Sequence, residues 1–438
     1  MYPAEKSGQS RNSISLPERR AGSTTRKREQ SGKGFRILLY SHDTLGLGHL
    51  HRNLKIARGL RSRFPELSLM LLTGSLQTVH YRLPRDVDYV KFPSVRKTED
   101  EQYDSRFPGV EFARVRSLRS KIILETVKEY APHVFLVDHA PLGMKGEILP
   151  SLRWLKENVA GSVAILGLRD IMDQPEKVID RWREQGTYQV LRSLYDHIVV
   201  YGDPGLFDIV SLYNLEDDIA AKVQYVGYVT GHKGPISAER KARPVSQSPK
   251  LVLVTIGGGE WAGDIIIGNY LEMLRQNVQA VTFETVILTG PFLPDDLWRQ
   301  FTRRARGLPV RLRHFVARPS RYLQKSDLII STAGYNTMTD VLSYGARALI
   351  IPRIKFRDEQ LLRARRLAER GLVDFMHPDD VTPERLYEAV SDGLANHENP
   401  LVQARLDRKL PLDGASRMAG FLANLLYQSS EIREAASC

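Results

Sequence analysis

The sequence predicts an α/β protein built from two doubly wound domains joined by one linker. Three observations carry this. Short apolar runs alternate with helical stretches along most of the 438 residues. The alternation stops at a polar, basic stretch, 231–249, and then begins again. Each half opens with a strand followed by a glycine-rich turn, Leu45-Gly46-Leu47-Gly48-His49 in the first and Gly257-Gly258-Gly259 in the second. The domains are therefore expected at 35–230 and 250–430, with a linker at 231–249.

Taken in order, the apolar runs of the first half predict strands at Phe35–Tyr40, Leu67–Thr73, Val87–Phe92, Val134–Asp138, Ser162–Leu168, Ile198–Gly202 and Val223–Tyr228. Helical spacing runs from the first glycine turn to Leu60 and again over Val115–Tyr130. The second half predicts strands at Leu251–Ile256, Thr285–Gly290, Val310–Phe315, Ser326–Ile330 and Ala348–Pro352. A helix fits between Gly334 and Gly345, and another over Gly414–Tyr427. Runs that are apolar throughout, without alternation, suit parallel strands covered on both faces.

With 42% hydrophobic and 26% charged residues the composition is that of a soluble globular chain. The single cysteine, Cys438, excludes internal disulfides and cysteine-based metal sites. No run approaches the roughly 20 apolar residues of a membrane span. The net charge is +12, and residues 1–34 hold eight basic against three acidic side chains. This Ser- and Gly-rich stretch is expected to be a disordered tail and lacks the apolar core of a signal peptide. A basic surface suits an anionic membrane. No nucleic-acid recognition motif is present, and no nucleic-acid partner is expected. The expected location is the cytoplasm, up to the inner face of the membrane.

The most informative stretch is Ser331 to Gly345. It reads as strand, Gly334 turn and helix, and the carboxyl ends of strands are where open α/β sheets hold ligands. Ser331, Gly334, Asn336 and Thr337 sit at that turn, where free N–H groups suit a phosphate. Asp340, six residues past Gly334, can offer a carboxylate to sugar hydroxyls. A nucleotide-sugar site is the arrangement these residues point to. Gly257, Gly258 and Gly259 expose further N–H groups to an anion. Glu359 and Gln360 open a helix and can bond sugar hydroxyls. Val316 follows a strand end, where backbone can read a base edge.

The first turn fails the dinucleotide fingerprint. His51 stands where the third glycine belongs, and the second strand ends in Thr73-Gly74 without an acid. Gly46 and Gly48 still allow close backbone approach. His49 at the helix start is a candidate general base, with His42 and Asp43 as rivals. Asp138 and Asp170 end strands and are candidate catalytic carboxylates, although strand-end acids also serve as helix caps. Asp86-Val87-Asp88 has the spacing of a metal-binding sugar site but sits in a loop entering an edge strand, so neither a metal nor a cofactor is expected.

Together these residues resemble the GT-B glycosyltransferases, two Rossmann-like domains across a cleft. They are most similar to family 28, which includes the enzyme adding N-acetylglucosamine to the peptidoglycan lipid intermediate. Ser331 to Gly345 resembles that family's donor signature, with Asp340 at the place of the ribose-binding acid, where the family usually has Glu. Gly257 to Gly259 resembles its diphosphate-facing turn, Phe315-Val316 its base-reading segment and Glu359-Gln360 its sugar-contacting Gln-Gln pair. Gly48-His49 resembles its Gly-Gly-His turn. The resemblance implies inverting, metal-independent transfer from a nucleotide diphosphate sugar, UDP-linked and of the UDP-N-acetylglucosamine type. The acceptor expected is a hydroxyl of unknown origin, with a lipid-linked or polysaccharide substrate fitting the basic surface. A nucleotide-sugar 2-epimerase and a non-catalytic nucleotide-sugar-binding protein are the alternatives on the same architecture.

Overall fold

The computed structural model describes residues 34–41, 48–76, 78, 83–97, 103–230, 249–257, 263–316, 319–344, 347–355, 357–395 and 410–435, with side chains as far as 425. The expected tail and nearly all of the expected linker lie outside these residues.

In the first half, β1 (Arg36–Ser41), β2 (Ser68–Thr73) and β3 (Val87–Lys91) are followed by a small antiparallel ladder, β4 (Val95–Lys97) with β5 (Tyr103–Ser105). Then come β6 (Val134–Asp138), β7 (Val163–Arg169), β8 (His197–Tyr201) and β9 (Val223–Tyr225). Seven of these form one parallel sheet in the order β3-β2-β1-β6-β7-β8-β9. The helices are α1 (Gly48–Arg63), α2 (Phe112–Tyr130), α3 (Leu149–Asn158), α4 (Pro175–Glu184), α5 (Thr187–Leu194), α6 (Ile209–Leu212) and α7 (Asp217–Ala220).

The second half repeats the plan. β10 (Leu251–Thr255), β11 (Glu284–Leu288), β12 (Val310–Arg313), β13 (Leu328–Ser331), β14 (Arg347–Ile350) and β15 (Asp374–Phe375) form a parallel sheet in the order β12-β11-β10-β13-β14-β15. Its helices are α8 (Asn269–Gln276), entered through a π-helical turn at Gly263–Gly268, α9 (Asp295–Arg304), α10 (Ser320–Lys325), α11 (Tyr335–Tyr344), α12 (Glu359–Glu369), α13 (Pro383–Ala395) and α14 (Gly414–Ala435).

Both sheets have their first strand in the middle, beside the fourth. The chain therefore leaves in opposite directions from β1 and β6, and again from β10 and β13. That reversal opens a crevice at the carboxyl ends of these strands. The central strands are apolar throughout because both faces are covered. Ile37 and Leu39 pack with Leu50, Leu54 and Ala57 of α1, whereas Leu38 and Tyr40 pack with Ile123, Val127 and Leu152 on the opposite face. In the second sheet Leu253, Ile329 and Ile350 face α11 and α12, and Val252, Val254 and Ile330 face α8 and α13.

The cluster containing α1 also contains Tyr335, Met338 and Val341 of α11 and Leu367 of α12, so one apolar core runs through both halves. From Phe35 onward the chain packs as a single compact unit. α14 lies on α1, where Gly59 leaves no room for a side chain: a Cβ there would come within 2.9 Å of the Ala415 carbonyl oxygen. Arg363 of α12 adds a buried polar tie. Its Nη2 and Nε donate to the Asp170 carboxylate at 2.8 and 3.0 Å, and its Nη1 donates to the Ala333 carbonyl at 2.8 Å.

Both partners of this pair are only 1% exposed. Replacing Arg363 by Met leaves a buried carboxylate without its cation. The expected cost is about 3–5 kcal/mol in urea unfolding; a loss below about 1 kcal/mol contradicts a structural role for the pair.

Candidate functional site

The crevice of the first sheet collects side chains from β6, β7 and α1. His49, on the opening turn of α1, places Nδ1 2.6 Å from Asp138 Oδ2 at the end of β6. Arg52, three residues on, grips the same carboxylate, with Nε 2.7 Å from Oδ1 and Nη2 on Oδ2. Asp138 is fully buried. Burial alone would push its carboxyl up, but the Arg52 guanidinium and the His49 hydrogen bond outweigh this and hold it at about 2. An ionised Asp138 fixes the His49 Nδ1 as donor and so puts the basic lone pair on Nε2.

His139 follows Asp138 in a left-handed backbone conformation (φ 66°), and its ring lies 5.4 Å from that of His49. Burial first, and then Arg169, pushes His139 well below the ordinary histidine range, so it is neutral. Its Nε2 accepts from Arg169 Nη2 at 2.8 Å. The same Arg169 nitrogen lies 2.8 Å from Glu359 Oε2, across the crevice on α12.

The second crevice is lined by backbone and hydroxyl groups. Gly257, at the end of β10, has φ 70°, a region that favours glycine. A Cβ there would stand 3.8 Å from Thr332 Oγ1 and 3.9 Å from Thr337 Oγ1, so the turn, the end of β13 and the start of α11 converge. Ser331 is fully buried and donates its hydroxyl to the Thr332 carbonyl at 3.1 Å. Gly334 precedes the first turn of α11, whose N–H groups open into this space. Gln360 lies beside it, with Nε2 4.0 Å from where a Gly334 Cβ would stand and Oε1 accepting from the Arg353 N–H at 3.2 Å. Val316 packs on the core at the edge of this region.

The two crevices meet. Asn336 Nδ2 donates to the Gly48 carbonyl at 2.9 Å, which seats the opening turn of α11 against that of α1. Asn336 Oδ1 is buried with no hydrogen-bond partner among the described residues. One turn further along α11, Asp340 Oδ1 accepts from Lys55 of α1 at 2.9 Å. The ring of Tyr335 lies 5.2 Å from the Arg52 guanidinium carbon and 5.9 Å from that of Arg363.

Several expectations need amendment. Asp170 was a candidate catalytic carboxylate, but it is buried at 1% exposure under Arg363 and presents no oxygen to the crevice. A strand-end acid facing an arginine-rich helix is neutralised by it. Glu359 is held by Arg169, and Asn336 spends its amide on Gly48. Asp340 already has a cationic partner. His42, Asp43, Gly46, Gly258 and Gly259 lie outside the described residues. Sequence reasoning did not single out Arg52, Lys55, Arg169 or Arg363 as site residues. The available signal was helical spacing: Arg52 and Lys55 stand three and six residues past His49.

His51 shares the Gly48 and Lys55 face of α1. Burial, then Lys55, lowers it to about 4. Its folded value lies below its ordinary one, so the unfolded chain takes up the proton first. Stability from this site is complete above about pH 6.5 and falls as the pH drops towards 4. His51→Asn should flatten the loss of stability between these values in urea titrations; an unchanged slope contradicts the assignment.

Residues 254–412 match the model of the glycosyltransferase family 28 C-terminal domain. The chain is 26% identical over 184 residues to the UDP-N-acetylglucosamine–N-acetylmuramyl-(pentapeptide) pyrophosphoryl-undecaprenol N-acetylglucosamine transferase of Lactococcus lactis, covering 41% of this chain and 51% of that protein. The chain thus spans about half the length of the curated relatives it matches. Among solved structures, MurG of Acinetobacter baumannii superposes with a TM-score of 0.53 at 15% identity, covering 88% of this chain and 95% of that one. A putative UDP-N-acetylglucosamine 2-epimerase of Listeria monocytogenes gives 0.57 at 13% identity, covering 90% and 96%. With two doubly wound sheets joined by one core, the chain has the GT-B fold of these solved structures, and its second half matches the C-terminal domain of glycosyltransferase family 28.

Proposed function

We propose that the protein transfers a sugar, with inversion, from a nucleotide diphosphate sugar to a hydroxyl acceptor. The observation that carries this is the apposition of the two helix starts. The Asn336–Gly48 hydrogen bond brings the His49–Asp138 pair and the open turn of α11 to one seam. A base on one side and an anion-accepting helix start on the other is what such a transfer needs.

In this reading the diphosphate lies on the Gly257 turn and the first turn of α11, with the ribose on Asp340. Gln360 faces the sugar. His49 Nε2 takes the acceptor proton, and Asp138 stabilises the imidazolium that results. Charge develops on the departing diphosphate, where fixed N–H groups and the helix dipole meet it. No metal is assigned a step. The name of the Lactococcus relative specifies a UDP-N-acetylglucosamine donor and a pyrophosphoryl-undecaprenol acceptor, which favours a uridine nucleotide and a lipid-linked acceptor in cell-envelope synthesis. No helix among the described residues is long and apolar enough to cross a membrane, so a lipid-linked acceptor implies contact at the bilayer surface. The epimerase-like fold neighbour favours the second reading, epimerisation of the nucleotide sugar itself, which needs no acceptor.

Thermal-shift titration with nucleotide diphosphates and their sugars, with and without magnesium, tests the donor. Stabilisation by a uridine diphosphate sugar without added magnesium is the expected result; none with any nucleotide contradicts the reading. Asp340→Ala should weaken nucleotide binding about ten-fold or more by removing a charged hydrogen-bond acceptor. Unchanged affinity removes Asp340 from the site. His49→Ala should lower turnover by roughly 10²–10⁴-fold while nucleotide affinity stays near normal. Turnover at the original rate excludes His49 as base. Conversion of the nucleotide sugar to its epimer without acceptor decides for the second reading.

A further inference from the structure

Lys55 belongs to the first half, yet its ammonium sits on the acid assigned here to the nucleotide. Gly48, His51 and Lys55 share one face of α1, and Asn336 and Asp340 share one face of α11. Gly48 meets Asn336, and Lys55 meets Asp340. The two helices therefore run side by side in the same sense, starting at the same place.

Lys55 uses one oxygen only. Its Nζ lies 2.9 Å from Oδ1, and among the described residues no hydrogen bond reaches Oδ2. The Asp340 side chain is 19% exposed and that of Lys55 9%. The carboxylate can thus keep Lys55 on Oδ1 and receive a ribose hydroxyl on Oδ2. Asp340 stands five residues into α11, about 7 Å along the axis from its first turn. A phosphate at that turn and a ribose on Asp340 leave the α-phosphate beside the ammonium. A lysine on a flexible stem makes a compact, mobile cation that suits a phosphate oxygen. Its neighbour His51 is neutral and adds no competing charge.

We propose that Lys55 is a nucleotide-binding residue supplied across the seam, bridging the Asp340 carboxylate and a phosphate oxygen of the donor. This rests on the donor reading above. It makes diphosphate affinity a property of both halves. An unphosphorylated nucleoside should be indifferent to Lys55.

The test is calorimetric titration of the full chain and of Lys55→Met and Lys55→Arg with UDP and with uridine, after thermal melting has shown that each variant folds. The expected result is a loss of UDP affinity of about ten-fold or more in Lys55→Met. Uridine affinity should stay at the unsubstituted level, and Lys55→Arg should recover part of the UDP affinity. Unchanged or tighter UDP binding by Lys55→Met overturns the proposal, and tighter binding makes the pair a latch that the donor must break. Equal loss for UDP and uridine also overturns it, since Lys55 then acts only by orienting Asp340. Failure of the unsubstituted protein to bind UDP at all overturns the donor reading, and the proposal with it.

Discussion

Tyr335 is the residue on which the two halves turn. It opens α11, directly after Gly334, and is 3% exposed. Its hydroxyl donates to the Tyr201 carbonyl at the end of β8 and accepts from the Val229 N–H. The guanidinium carbons of Arg52 and Arg363 both lie within 6 Å of its ring centroid. Arg52 holds Asp138, and through it His49. Arg363 holds Asp170 and the Ala333 carbonyl that precedes the Gly334 turn. One aromatic ring thus contacts the cation that holds Asp138 beside His49 and the cation that holds the Gly334 turn. Stacked, desolvated guanidiniums on an aromatic face are favourable only while their carboxylates stay paired. The geometry at one turn is therefore tied to the charge state at the other.

Buried charge gathers at the seam. Asp138, Asp170, Arg52 and Arg363 are all at or below 1% exposure. Ion pairs this deep contribute little net stability, because desolvation consumes most of the Coulombic gain. Their effect is on register: an uncompensated member is so costly that alternative seatings of α11 on α1 are excluded. A single apolar core continues beneath them from α1 to α12, so the halves share their main source of stability. At the polar rim of the seam, Lys55–Asp340 and Arg169–Glu359 are the more exposed pairs.

Much of this was legible in the sequence. The unbroken apolar runs located nearly every sheet strand, since a strand buried on both faces leaves no polar position to blur it. The short β15 and the β4–β5 ladder were missed because two or three residues carry no periodicity. Gly257 was visible because its turn adopts a left-handed backbone that favours glycine, and Gly334 because it interrupts the apolar run between strand and helix. His49 and Asp138 were visible only as separate strand-end groups. Their pairing depends on strand order, with β6 beside β1 across 89 residues of chain, and local pattern does not encode it. Asp170 was misjudged for the same reason. Its partner Arg363 lies 193 residues away, and an acid looks alike whether it faces a crevice or a buried guanidinium.

The most direct measurement is amide hydrogen exchange with and without UDP. If the nucleotide sits in the seam, peptides covering the starts of both α1 and α11, around Gly48–Lys55 and Gly334–Asp340, become more protected together. Protection confined to one half, or located away from both helix starts, contradicts a site built jointly by the two halves.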